Sequence, residues 1–208
     1  KLRRLGISDA EAAEVITSGQ SAMLYLAEHA ELERIFVLGT DALVDEVRAA
    51  GRTALTDRPE SADALLVGYD TTLTFERLRG AAIALEHGAK FLATHPDRGC
   101  PDPRGMLPDC GALCACLESV TGRHVEETFG KPSSWMLQLA LQRTGLSTPQ
   151  MALVGDRLYT DIAMAAAGGM SSVLVLSGET QRSDVADAAI RPDLVFDHVG
   201  DLGRTIAG

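Results

Sequence analysis

The rhythm of this chain constrains its fold more than any single residue does. Short apolar runs at Ile35–Leu38, Ala64–Val67, Lys90–Ala93, Met151–Val154 and Val173–Leu176 alternate with longer amphipathic stretches. Each run is bounded by glycine or polar turn residues, the pattern of a buried strand. The stretches between them, Ala22–His29, Asp41–Ala50, Thr74–His87, Gly111–Val120, Ser133–Arg143 and Asp161–Ala167, have helical spacing. Gly51, Gly88, Gly122, Gly145 and Gly168 stand where a left-handed residue would close a last helical turn. Ser8-Asp9-Ala10-Glu11 has the spacing of a capping box, and Lys1 to Gly6 reads as the end of a helix with its glycine cap. Strands alternating with helices of this length specify βαβ units and a parallel α/β sheet.

Length and charge narrow the function. With 208 residues and 46% hydrophobic content the chain can bury one large core or two small ones. The formal net charge is -10, and no run of Lys and Arg exceeds Arg3-Arg4. A nucleic-acid binder needs a basic footprint, so that class is excluded. No apolar stretch is long enough to span a bilayer. Lys1-Leu2-Arg3-Arg4 leads into Gly6 and Ser8-Asp9, not into the apolar core of a signal peptide. The expectation is a cytoplasmic protein without a membrane partner.

Four cysteines, Cys100, Cys110, Cys114 and Cys116, crowd into one stretch. Their spacing lacks the paired Cys-x2-Cys of a structural zinc site, so they read as small core residues, with Cys114 and Cys116 on a buried helix face. Pro96 to Pro108 holds four prolines and two glycines, too punctuated for a helix or central strand. A loop of that length is either functional or a plain linker.

The chemistry concentrates at two strand ends. Met151-Ala152-Leu153-Val154 runs into Gly155-Asp156-Arg157-Leu158-Tyr159-Thr160-Asp161. In open α/β sheets, ligands bind outside the carboxyl ends of strands, and two carboxylates there suit magnesium. Taken alone, the segment also reads as a Gly-Asp turn before a capped helix. Gly130-Lys131-Pro132-Ser133 follows a run ending at Phe129, and directs a cation toward the same sheet edge. A cation beside paired carboxylates is what phosphoryl chemistry requires.

Gly130-Lys131-Pro132 followed by Gly155-Asp156-Arg157-Leu158-x-Thr160-Asp161 resembles motifs three and four of the haloacid dehalogenase-like phosphatases. The likeness is nearest to the NagD-type class IIA group, which includes AraL-like sugar phosphatases and the p-nitrophenyl-phosphate and pyridoxal-phosphate phosphatases. Ala93-Thr94-His95-Pro96-Asp97 is similar to that group's cap-loop motif, with His95 in place of the usual Asn. Pro108 to Leu113 and Val173 to Gly178 resemble further segments of the group. The resemblance implies a Rossmann-like core with an inserted α/β cap, the cap spanning Glu31–His124 and the core 1–30 with 125–208. It implies Asp156 as a direct magnesium ligand and Asp161 in the outer shell, orienting ligands and water. It implies Lys131 neutralising the phosphate, and Arg157, Tyr159 and Thr160 near the substrate. It implies that His95, Asp97, Arg98 and Cys100 select the leaving group, and it allows a homodimer through the cap.

One departure is large. The family begins its reaction with an aspartate in Asp-x-Asp-Gly-Thr, whose second Asp is the general acid and base. This sequence contains neither, nor the Thr/Ser-Asn of motif two. Asp70-Thr71-Thr72-Leu73-Thr74 imitates the first motif but has Thr72 where the acid/base belongs, and it precedes a cap helix. The expectation is a core incomplete at its N-terminus, with the nucleophile upstream of these residues. The readings are a magnesium-dependent phosphatase of small phosphorylated metabolites, sugar phosphates first and nucleotides or pyridoxal phosphate as alternatives, or a noncatalytic phospholigand-binding protein.

Overall fold

A computed structural model describes Gly6 and residues 14–208, in two compact units, 1–130 and 131–208. The Ser8–Glu11 capping box and the helix end expected before Gly6 lie outside the described residues.

The first unit runs α1 (Ser18–Glu28), β1 (Arg34–Leu38), α2 (Asp41–Ala49), β2 (Thr53–Leu55), β3 (Ala64–Val67), α3 (Phe75–Glu86) and β4 (Lys90–Ala93). It continues through β5 (Gly99–Asp102), β6 (Gly105–Pro108), α4 (Cys110–Thr121) and β7 (Glu127–Thr128). β2, β1, β3, β4 and β7 form a five-stranded parallel sheet in that order. Phe36, Leu38, Leu65, Val67, Phe91 and Ala93 alternate along β1, β3 and β4. They pack into one core with Ala81, Ala84 and Leu85 of α3 and Cys110, Leu113, Cys114 and Leu117 of α4. The intervening Ile35, Val37, Leu66 and Leu92 are also buried, as period two requires of a sheet covered on both faces. Asp63, just before β3, accepts from the Arg34 and Glu33 N–H groups at 2.8 and 3.2 Å and pairs with the Arg34 guanidinium at 2.6 Å, fastening the starts of β1 and β3.

The second unit holds α5 (Ser134–Thr144), β8 (Ala152–Gly155), one π turn (Leu158–Ile162), α6 (Ala163–Gly168) and β9 (Ser171–Val175). α7 (Arg182–Ala186), β10 (Leu194–Phe196) and α8 (Val199–Ala207) complete it. Its sheet is parallel in the order β10-β9-β8. Met164, Ala165 and Met170 form its core, with Met136, Leu137, Met151 and Leu153 against them. No helix among the described residues is long and apolar enough to cross a membrane.

The structure corrects four expectations. β8 is not a buried strand: Val154 is 41% exposed and Ala152 is exposed, because β8 pairs only with β9 among the described residues. Pro96 to Pro108 is not an open loop, since β5 and β6 pair antiparallel across Pro103-Arg104. Cys116 is exposed, one position off the α4 face that Leu113, Cys114 and Leu117 bury. The left-handed residue after α6 is Gly169, not Gly168, which remains helical.

Candidate functional site

Asp156 follows β8 directly, and Asp161 lies in the π turn before α6. Both sit at the carboxyl end of a parallel strand. Asp161 is buried at 2% exposure with both oxygens engaged. Lys131 Nζ donates to Oδ1 at 2.5 Å, and the Arg157 backbone N–H donates to Oδ2 at 3.1 Å. The ammonium end of Lys131 is thereby fixed just ahead of α5, whose N-cap Ser133 accepts from the Trp135 N–H.

Asp156 is held from the other side. Its Oδ2 accepts the Glu179 N–H at 2.8 Å, and its backbone carbonyl accepts the Thr180 N–H at 3.2 Å. Both donors come from the loop after β9. Two glycines make this packing feasible. A Cβ on Gly178 would overlap Asp156 Oδ2, and one on Gly155 would overlap the Asp161 carboxylate. Backbone approaches each carboxylate so closely that no side chain fits.

The Glu179 side chain makes a second set of contacts. Its carboxylate pairs with Arg157 Nε at 2.7 Å and accepts from the Tyr159 hydroxyl at 3.0 Å. The Arg157 guanidinium stands 6.0 Å from the Tyr159 ring centre, and Thr160 is buried. Five sequence-predicted residues thus share one hydrogen-bonded arrangement: Lys131, Asp156, Arg157, Tyr159 and Asp161. Glu179 is the residue that sequence reasoning missed. A signal is present in the sequence, because Gly178-Glu179, in the loop after β9, repeats the Gly-acid pair of Gly155-Asp156.

Among the described residues no three His, Cys, Asp or Glu side chains converge on one point. Asp161 is committed to Lys131 and a backbone N–H, whereas among the described residues the Asp156 carboxylate accepts one hydrogen bond, on Oδ2. A single hard carboxylate of this kind fits magnesium, which takes few protein ligands and completes its shell with water and phosphate oxygens.

The cap-loop residues lie in the first unit. His95 Nε2 lies 2.8 Å from Asp109 Oδ1, and its Nδ1 lies 2.9 Å from the Thr94 hydroxyl. Asp109 is the N-cap of α4 and also accepts the Cys110 N–H at 2.7 Å. The Asp97 carbonyl accepts from Gly111 N–H at 2.8 Å, and the Arg98 carbonyl from Asp109 N–H at 3.1 Å. His95, Asp97 and Arg98 therefore gather at the start of α4, with the Arg98 side chain exposed. Cys100 sits on β5 opposite Leu107. The imitation motif is occupied locally: Asp70 Oδ1 accepts from the Thr72 N–H and hydroxyl at 2.8 and 2.7 Å, and Oδ2 pairs with Arg77 at 2.7 Å.

The chain is similar to sugar-phosphatase AraL of Bacillus subtilis, 32% identical over 98% of this chain and 74% of that enzyme. The chain belongs to the haloacid dehalogenase-like hydrolases. The model for haloacid dehalogenase-like hydrolases matches residues 1–53, and a HAD-hydrolase-like model matches residues 128–202. Ribonucleotide monophosphatase NagD of Escherichia coli is 34% identical over 83% of this chain and 66% of its own length. A glycerol phosphate phosphatase from Mycobacterium tuberculosis, solved in complex with magnesium, superposes with a TM-score of 0.89 at 33% identity. That match covers 97% of this chain and 61% of the other. The relatives in this family are phosphoric monoester hydrolases, and the chain is placed in class with them.

Proposed function

We propose that the protein is a magnesium-dependent phosphatase of small phosphomonoesters, sugar phosphates foremost, whose aspartate nucleophile lies upstream of these residues. The observation that carries the proposal is that Asp156, held by the Glu179 N–H, and the Lys131–Asp161 ion pair are tied into one hydrogen-bonded arrangement after β8 through Arg157 and Glu179. Asp156 holds magnesium, which when bound offsets the charge on the transferring phosphoryl oxygens. Lys131 neutralises the phosphate, and Asp161 keeps it aimed there while orienting water and ligands around the metal. Arg157, Tyr159 and Thr160 border the substrate. His95, Asp97, Arg98 and Cys100 select among leaving groups, and residues 31–124 act as the cap. Aromatic residues are only 4% of the chain, which leaves little for base stacking and favours hydroxyl-rich leaving groups.

The test uses the full-length protein and a panel of phosphomonoesters. Magnesium-dependent phosphate release, lowered on the order of a hundredfold or more by Asp156→Asn in a protein that still melts cooperatively, supports the proposal. Binding of phosphoesters without hydrolysis would replace it with a noncatalytic phospholigand-binding role. Wild-type turnover by Asp156→Asn at saturating magnesium would refute the metal assignment.

A further inference from the structure

Among the described residues, two cations of this cluster are each paired with a carboxylate: Lys131 with Asp161, and Arg157 with Glu179. The second pairing is the more unusual in its placement. Glu179 is tied down twice, its N–H on Asp156 Oδ2 at 2.8 Å and its carboxylate shared between Arg157 Nε and the Tyr159 hydroxyl at 2.7 and 3.0 Å. Its backbone is therefore fixed at Asp156 and its carboxylate at Arg157 and Tyr159, not carried on a swinging side chain. The Glu179 side chain is 48% exposed and that of Arg157 only 23%, so an approaching molecule meets the acid more readily than the base.

We infer that Glu179 is a specificity-determining residue that rejects phosphomonoesters carrying a second anionic group and leaves neutral, hydroxylated leaving groups favoured. Two effects act together. Glu179 engages the Arg157 guanidinium, whose fork of donors suits a second carboxylate or phosphate. It also presents a like charge to that second anion, and specificity often rests on such a repulsive element. The partly exposed position makes the repulsion modest and sensitive to salt. This inference deepens the phosphatase reading and rests on it.

The experiment compares glycerol 3-phosphate with 3-phosphoglycerate on the full-length, magnesium-loaded protein. The two share a three-carbon skeleton and differ in a hydroxymethyl against a carboxylate. Glu179→Gln keeps the backbone N–H and an acceptor for Arg157 and Tyr159 while deleting the charge. It should raise the ratio of kcat/KM for 3-phosphoglycerate over glycerol 3-phosphate by about five- to tenfold. Adding Arg157→Gln should remove most of that gain, and raised salt should shrink the wild-type discrimination. Calorimetric binding of two phosphonates, phosphonoacetate and 2-hydroxyethylphosphonate, should shift in the same direction without any turnover. An unchanged ratio in both Glu179→Gln and Glu179→Ala, in proteins that hydrolyse glycerol 3-phosphate, would overturn the inference and leave the phosphatase reading standing. Failure of the wild type to hydrolyse either ester would strike the phosphatase reading instead, and the phosphonate comparison would then decide the charge filter by itself.

Discussion

Lys131 and Asp161 are 30 residues apart in sequence, and the lysine ammonium donates to the buried carboxylate at 2.5 Å. Such a bond fixes a long flexible side chain at one end while the other partner, inaccessible to water, depends on it. Asp161→Asn should lower stability by about 1–3 kcal/mol, less than a fully buried pair because Lys131 is 47% exposed. In the full-length protein it should also raise KM for every phosphomonoester alike, since an unheld Lys131 serves no leaving group in particular. Denaturant titration and a substrate panel check both; a loss confined to one substrate would contradict the shared role.

Gly178→Ala should be worse for metal binding than for folding. The new Cβ has to displace Asp156 Oδ2 or the loop that carries the Glu179 N–H. Magnesium affinity, read calorimetrically, should fall about tenfold or more while the melting temperature moves by only a few degrees. Unchanged affinity would show that Asp156 is not the ligand.

Substrate ranking should respond to Arg98 more cleanly than to His95. Arg98 is exposed, and its backbone carbonyl accepts the N–H of Asp109, the N-cap of α4, so Arg98→Ala should reorder sugar phosphates, nucleotides and pyridoxal phosphate with little change in stability. His95 bonds the Asp109 side chain that caps α4, so His95→Asn should cost about 1–2 kcal/mol in addition. Equal losses on all substrates for Arg98→Ala would remove this loop from specificity.

Acid should loosen the first unit at Asp63. The hydrogen bonds from the Arg34 guanidinium hold the Asp63 carboxyl below its usual range, with the Arg34 and Glu33 N–H groups and the Arg34 charge adding to them. A depressed folded-state value gives stability that is present above the unfolded value and lost as pH falls through the folded one. Stability should therefore decline below about pH 4, and Asp63→Asn should flatten that part of the curve while lowering the neutral plateau. Urea melts across the acid range measure both.

Much of this could be read from the chain. The positions of β3 and β4 follow from apolar runs four residues long bounded by polar turns, and β1 falls within one residue of its run. These are interior strands of a sheet, where burial on both faces leaves a continuous signal. β2, β7 and β10 are short and only partly buried, so burial leaves little trace in their sequences. The run at Met151–Val154 locates β8 but not its exposure, because a sequence states what a strand could bury and not what lies beside it. Within the site, Lys131, Asp156 and Asp161 were legible through strand-end logic and family likeness together. Their pairing was not, since it depends on a side chain bridging separate elements. The hairpin at Gly99 to Pro108 escaped because proline and glycine are read as breakers, although an isolated two-stranded ribbon tolerates them.

The contact between the Glu179 N–H and Asp156 has a consequence for how such a protein can diversify. The donor is backbone, common to every amino acid except proline, so the anchor of Asp156 does not depend on which side chain position 179 carries. Selection, or a saturation library at that codon, can rewrite the charge and shape offered at the cluster while that anchor stays in place. Proline is the one residue that would remove the anchor outright. Gly178 next door is frozen for the opposite reason. Two adjacent codons thus divide the labour: one is locked to keep the chemistry, and the other is open to exploring new substrates.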